Sequence, residues 1–242
     1  MKDDAVFDRL FGASQHTICI DGFFLSGTAQ VGDHSVSVMG TWYAAPMDGD
    51  LALAIAGEIL RVIDEDTGKK PRPIIFIADT QGQALSRHEE LLGLNGYFAH
   101  VARCVDLARR SGHAMVTLIH GEAVSGGFLA YGMLADKACA MPGAQVRVMD
   151  LRAMSRVTKI DFERLQTLAT ESPVFAPGAD NYWRMGAITE VWEKGDQDWR
   201  QRLATVLIDA INDDKTDRRN QLGEQRGGRT LAAKIGFEVS EK

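Results

Sequence analysis

The run His120-Gly121-Glu122-Ala123-Val124-Ser125-Gly126-Gly127 places small residues where an apolar strand, Met115 to Ile119, must turn into an apolar helix. Gly126 and Gly127 have no Cβ to shield the main chain, so their N–H groups can be approached. A following helix would aim the positive end of its aligned peptide dipoles at the same spot. Such donors can hold an oxyanion. The same glycines would also serve a strand and helix that only cross closely. Asp79-Thr80-Gln81-Gly82-Gln83 repeats the theme as a turn after the apolar run Ile74 to Ala78. If the two strands lie parallel, the turns after them emerge at one edge of the sheet, and two sources of N–H groups converge.

The elements that must position these turns alternate between strand and helix. Thr17 to Ile20 and Ser35 to Gly40 have the β-branched content of strands, with Gly32-Asp33-His34 as a turn between them in an opening antiparallel element. Asp50 caps a helix whose apolar residues Leu51, Ile55, Ile59, Val62 and Ile63 recur at helical spacing, and Thr67-Gly68-Lys69-Lys70-Pro71 stops it. The unbroken run Ile74 to Ala78 predicts a strand covered on both faces. Ser86 with Glu89 forms a capping box that opens one long helix, running to about Arg110 and stopped by Gly112. After strand 115–119 and the glycine turn come a helix over 127–134 and a strand over 138–141. Beyond Pro142 the pattern becomes helical, with amphipathic helices over 160–169 and 196–211 separated by loops over 171–178 and 183–190. Residues 1–195 read as one α/β domain, and 196–242 as a C-terminal helix and polar tail of the same unit.

Composition removes several function classes. The chain has 242 residues and a formal net charge of −6, which argues against a nucleic-acid surface. Three widely spaced cysteines (Cys19, Cys104, Cys139) without a Cys-x-x-Cys pair suggest neither a disulfide framework nor a metal site. No apolar stretch reaches membrane-spanning length and no targeting segment opens the chain, so a cytoplasmic protein is expected.

With these residues in view, Gly121-x-Ala123-x-Ser125-Gly126-Gly127 resembles the Gly-x-Ala-x-Gly-Gly-Gly signature of the crotonase superfamily, with serine for the first glycine of the triplet. That serine form is similar to the α half of the carboxyltransferases of biotin-dependent acyl-CoA carboxylases. Their Asp-Thr-Pro-Gly turn stands here as Asp79-Thr80-Gln81-Gly82, and Gly186-Ala187-Ile188-Thr189-Glu190 resembles a later segment of the same family. The resemblance covers roughly residues 15–195, and within the group the run 120–141 looks most like the γ subunits of biotin-independent malonate decarboxylases. The resemblance implies an α/β fold, the ClpP/crotonase spiral of β-β-α units with a helical C-terminal part. It also implies a carboxy-lyase subunit that works with a homologous β subunit. Together they would convert malonyl thioester on an acyl carrier protein to acetyl thioester plus CO2. No cofactor or metal is expected on the chain itself and no biotin. The thioester arm would be a phosphopantetheine-type group of the carrier, and a further transferase subunit is expected in the complex.

On this reading Gly126 and Gly127 supply one oxyanion hole, and Gly82 with Gln83 lines the opposite wall. Loss of CO2 leaves an enolate whose charge settles on the thioester oxygen, and each pre-aimed donor is worth on the order of 10²–10³ in rate. The residues leave open whether the hole receives that oxygen or the departing carboxylate. The basic cluster Arg147, Arg152, Arg156 and Lys159, together with Ser125, is the candidate contact for substrate or carrier phosphate.

Other readings are a non-catalytic scaffold half, a free-standing acyl-CoA hydratase or isomerase, and a Clp-type serine peptidase. The peptidases place a histidine some two dozen residues after the serine, whereas all six histidines here precede Ser125. The hydratases need a glutamate acid/base pair where this chain has Leu129 and Met149. His120 could protonate the enolate carbon, although a strand-end histidine is more often bonded to backbone. Glu122 suits orienting the turn better than acting as a base, since its charge would oppose the enolate. Trp42-Tyr43, Tyr182-Trp183, Trp192 and Trp199 are expected to mark a partner surface unless the core takes them.

Overall fold

The computed structural model describes residues 3–171, 176–195, 198–229 and 231–240. The chain opens with helix α1 (Asp3–Phe11) and strands β1 (Cys19–Asp21), β2 (Phe24–Val31), β3 (His34–Thr41) and β4 (Ala45–Met47), followed by α2 (Gly49–Glu65). Next come β5 (Ile74–Gln83), α3 (Arg87–Leu92), α4 (Leu94–Arg110), β6 (Met115–Val124), α5 (Ser125–Leu129), a 3-10 turn (Gly132–Leu134), β7 (Lys137–Ala140) and β8 (Gln145–Arg147). The remainder holds α6 (Leu151–Thr158), α7 (Phe162–Glu171), α8 (Ala179–Arg184), β9 (Glu190–Val191), α9 (Trp199–Asn212), α10 (Arg219–Gln225) and α11 (Ala232–Ser240).

The main sheet runs β1-β2-β3-β5-β6-β7-β9, antiparallel over its first three strands and parallel from β3 onward. β5 and β6 are each used twice. Residues 74–77 of β5 pair with β3, while its end, Thr80 to Gln83, pairs with β4. Residues 116–119 of β6 pair with β7, while Glu122 to Val124 pairs with β8. The strand ends therefore leave the main sheet and make a short second layer with β4 and β8. Tyr43 (φ 63°) and Ala44 (φ 48°) turn the chain sharply between β3 and β4. The unit of two strand segments followed by helix recurs at β3-β4-α2, along β5 into α3 and α4, along β6 into α5, and at β7-β8-α6. That is the expected spiral of β-β-α units.

Strand alternation explains why β5 and β6 are apolar without a break. Ile74, Phe76, Ala78, Met115 and Ile119 face the core closed by α2 and α4, with Leu51, Ile55, Ile59, Val101 and Val105. Ile75, Ile77, Val116 and Leu118 face a second core closed by α1 and α9, with Phe7, Leu10, Leu203 and Leu207.

Several boundaries differ from expectation, each for a local reason. Asp48, not Asp50, caps α2, and its side chain accepts from the Leu51 N–H at 2.8 Å. Ser86 caps as foreseen, but Glu89 does not close the box. Its carboxylate accepts the Gly49 N–H instead, and left-handed Gly93 (φ 73°) divides the expected single helix into α3 and α4. Asp79 to Gln83 is strand rather than turn, because β4 supplies it with a partner. The helix over 127–134 is shortened to α5 and a 3-10 turn, and α6 precedes the expected helix near 160–169. Helix α1 and strand β2 were not foreseen. Of the loop expected over 171–178, residues 172–175 lie outside the described residues, as do 196 and 197 at the start of the helix expected to end at 211. The loop expected over 183–190 instead takes the end of α8 and the first residue of β9. Among the described residues no helix is long and apolar enough to cross a membrane.

Candidate active site

The step between the two layers is built around Asp79, 8 % exposed, at the point where β5 slips register against β6. Its Oδ1 accepts the Glu122 N–H at 2.9 Å, and its own N–H donates to Thr41 Oγ1 at 3.1 Å. The Thr41 hydroxyl lies 2.8 Å from the Tyr131 hydroxyl, so a buried polar chain crosses the ends of β3, β5 and β6. Gly121 is required here because a Cβ would lie 2.3 Å from Asp79 Oδ1. Thr80 Oγ1 donates to the Ala45 carbonyl at 2.6 Å and accepts the Gly82 N–H at 3.1 Å. These bonds bring the two glycine segments together. A Cβ on Gly127 would lie 2.9 Å from the Gly82 carbonyl carbon, and one on Gly82 (φ 99°) would lie 3.2 Å from the Val124 carbonyl oxygen.

Burial pushes the Tyr131 phenol up, the Thr41 hydrogen bond works against that, and the Asp79 charge adds to it. The folded state thus favours the neutral phenol. Its contribution to stability is full below an unfolded value near pH 10 and is lost as pH rises through the higher folded value. Thermal melts between pH 8 and 11 should show the midpoint falling above about pH 10. Tyr131→Phe should flatten part of that fall while costing about 1 kcal/mol at neutral pH. A curve unchanged by the substitution would remove Tyr131 as its source.

Ser125 opens α5 at φ 51°, a left-handed conformation that costs a non-glycine residue about 1–2 kcal/mol. The N–H groups of this first turn have no acceptor inside the helix. With five residues in α5, the field at Gly126 comes from those local N–H dipoles rather than from a long macrodipole. Gly126 faces the Phe98 ring, 3.4 Å from where a Cβ would stand, and Gln83 Oε1 at 3.6 Å. The structure thus joins Gly82, Gln83, Ser125, Gly126 and Gly127 in one place, as the sequence predicts, and adds Phe98 as a wall that sequence reading missed.

The basic cluster is divided. Arg147, on β8, ion-pairs with Glu122 at 2.5 Å and braces the turn. Arg152 lies over the Phe162 ring at 4.6 Å, and exposed Arg156 stands one turn further along α6. His120 stacks on Trp42 at 4.2 Å between ring centroids and 21° between planes. Of the aromatics expected at a partner surface, Trp42, Trp192 and Trp199 belong to the core instead, whereas Tyr43 and Trp183 are exposed. The Thr41–Asp79–Tyr131 chain was also missed. Its members are 90 residues apart in sequence at the extremes, and only the topology unites them.

Residues 45–242 match the family described as malonate decarboxylase gamma subunit. The chain belongs to that family. A curated relative, the malonyl-S-ACP:biotin-protein carboxyltransferase MADD of Malonomonas rubra, is 31% identical over 235 residues, covering 86% of this chain and 80% of the relative. Among solved structures, a Pseudomonas malonate decarboxylase hetero-tetramer in complex with coenzyme A superposes with a TM-score of 0.82 over 98% of this chain and 97% of that one, at 23% identity. The transcarboxylase 12S core, with methylmalonyl-coenzyme A and methylmalonic acid bound, matches at a TM-score of 0.68 and 15% identity over 88% of this chain and 42% of that chain. These likenesses establish the carboxyltransferase, crotonase-like fold.

For a gamma-subunit family chain, the strain at Ser125 has a testable consequence. If the serine is a small residue at a crowded turn, Ser125→Ala should keep turnover within a few-fold, because the donors are backbone N–H groups. Ser125→Gly should raise stability by about 0.5–1 kcal/mol, since strain relief exceeds glycine's entropic cost. A dead Ser125→Ala variant, with fluorophosphonate labelling of wild-type Ser125, would instead make the hydroxyl a nucleophile.

Proposed function

We propose that this chain is one half of a carboxy-lyase pair. With a homologous β subunit it decarboxylates malonyl thioester carried on the phosphopantetheine-type arm of an acyl carrier protein. The bond between the thioester α-carbon and the carboxylate breaks, CO2 leaves, and the bonding pair passes into the thioester enolate. A proton then added at that carbon gives acetyl thioester. This chain's part is to meet the enolate oxygen with fixed donors, the N–H groups of Gly126 and Gly127, while Gly82 and Gln83 line the opposite wall. The observation that carries the reading is the closeness of these two segments, with 2.9 Å between the missing Gly127 Cβ and Gly82. Family membership and the likeness to the Pseudomonas hetero-tetramer in complex with coenzyme A support it.

The β subunit is assigned to the exposed apolar groups Tyr43, Leu85, Leu91, Leu92 and Trp183, and the carrier to Arg152 and Arg156, with Arg147 bracing the turn beneath. Residues 196–242 complete the same domain, a further transferase subunit loads the carrier, and the complex works in the cytoplasm. The name of the Malonomonas relative favours a second reading, in which the carboxyl group passes to a biotin protein instead of leaving as CO2.

One experiment separates the readings. The chain is purified alone and with its β subunit, and each sample is given malonyl thioester. CO2 release by the pair alone, insensitive to avidin, supports the decarboxylase. Release only with an avidin-sensitive biotin protein supports the transferase, and an active lone chain overturns the paired enzyme.

A further inference from the structure

Gln83 carries a buried polar atom that nothing among the described residues bonds. Its Oε1 has no hydrogen-bond partner among them, although the residue as a whole is half-buried at the end of β5. In the register of the short parallel pair it stands opposite Met47, with the next residue's N–H, that of Ala84, donating to the Met47 carbonyl at 2.8 Å. Gln83 Oε1 points to the bare side of Gly126, 3.6 Å from where a Cβ would be, beside the Phe98 ring. An acceptor left unpaired in such a place costs about 1–3 kcal/mol, and native structures keep such atoms mainly where something else supplies the donor.

We infer that Gln83 Oε1 accepts a hydrogen bond from the substrate, and that the donor is the first amide N–H of the pantetheine arm. The inference rests on the malonyl thioester reading of this site and deepens it. The reacting end of a malonyl thioester at neutral pH offers a carboxylate, a carbonyl oxygen, a methylene and a sulfur, none of which donates a hydrogen bond to an amide oxygen. The donor nearest the reacting carbonyl is the arm's amide nitrogen, two methylenes beyond the sulfur. With the thioester oxygen on the Gly126 and Gly127 N–H groups, that amide is the part of the arm able to reach the adjoining wall. The Phe98 ring meanwhile covers the two methylenes. Gln83 is thus a specificity-determining residue, selecting a pantetheine thioester over a simple alkyl thioester.

The test compares malonyl-S-N-acetylcysteamine, which has the amide, with malonyl-S-butyl thioester, which lacks it, using the assembled pair. Wild type should favour the amide-bearing substrate by about tenfold or more in kcat/KM. Gln83→Met, of similar length but without the acceptor, should shrink that ratio toward unity, and Gln83→Leu should do the same. An unchanged ratio, or a wild-type ratio near one, overturns the inference. An equal loss on both substrates also overturns it, by assigning the amide to the reacting oxygen. Independently of turnover, acetyl-S-N-acetylcysteamine and acetyl-S-butyl thioester are titrated into the pair by NMR. A preference for the former that Gln83→Met abolishes sustains the inference even if neither malonyl thioester loses CO2, the result that would sink the decarboxylase reading alone. Binding without preference overturns it.

Discussion

A Gly126→Ala chain, assembled with its β subunit, should melt within about 3 °C of wild type yet turn over malonyl thioester at least ~10²-fold more slowly, the loss associated with one oxyanion donor. The two halves of this expectation have separate causes. No positive φ is required at Gly126, and alanine is the better helix former, so the backbone accepts the change. The methyl group would meet the Phe98 ring at 3.4 Å and Gln83 Oε1 at 3.6 Å, contacts that a ring tilt and a side-chain shift absorb at small cost. On the proposed function it would stand, however, in the space between the two walls that the thioester oxygen enters. Turnover and melting temperature measured on the same assembled preparation decide the matter. Near-wild-type turnover in a folded complex would mean that this turn does not touch the reacting group, and the scaffold reading would take its place.

The sequence makes the convergence of the two turns legible for a simple reason. Apolar runs over 74–78 and 115–119, alternating with helices, imply adjacent parallel strands, and glycine positions then mark where backbones come close. What it does not show is that both strands run on into a second layer. Asp79 to Gln83 has the composition of a turn, and its extended form depends on β4, a three-residue strand whose pairing is non-local. Strand β2 is obscured by Ser26, Gly27, Thr28 and Gln30, and Gly27 is there because a Cβ would lie 2.7 Å from Ile18 Cα. Helix α1, by contrast, was readable. Val6, Phe7, Leu10 and Phe11 recur at helical spacing and are all buried, a plain amphipathic pattern behind charged opening residues. The tryptophans mislead in the same way, since residue type signals large apolar area without saying which side of the surface receives it. The buried Asp79 carboxylate illustrates the remaining gap. Its residue type is visible, but its partners on β3 and β6 come only with the fold.

Gly127→Ala provides the contrast to Gly126→Ala, because the neighbouring glycine faces main chain rather than side chains. Its Cβ would lie 2.9, 3.0 and 3.2 Å from the carbonyl carbon, Cα and oxygen of Gly82, and no rotamer can relieve a clash with backbone. Gly82 cannot easily retreat. It is held at φ 99° with its N–H on Thr80 Oγ1, while β4 pairs along its other side. The two walls must therefore separate or α5 must tilt, an overpacking cost of about 1–3 kcal/mol. For a chain of this size that corresponds to a fall in melting temperature of roughly 2–12 °C. The donors on Gly126 and Gly127 would lose their aim together, so turnover should fall by ~10³-fold or more, beyond the single-donor loss at Gly126. Raising the concentration of malonyl thioester should not restore it, because the defect lies in donor geometry at the transition state and appears in kcat. A Gly127→Ala pair with wild-type stability and kcat would mean that the strand ends are not in contact, and the convergence of Gly82 with Gly127 would have to be given up along with the oxyanion hole built on it.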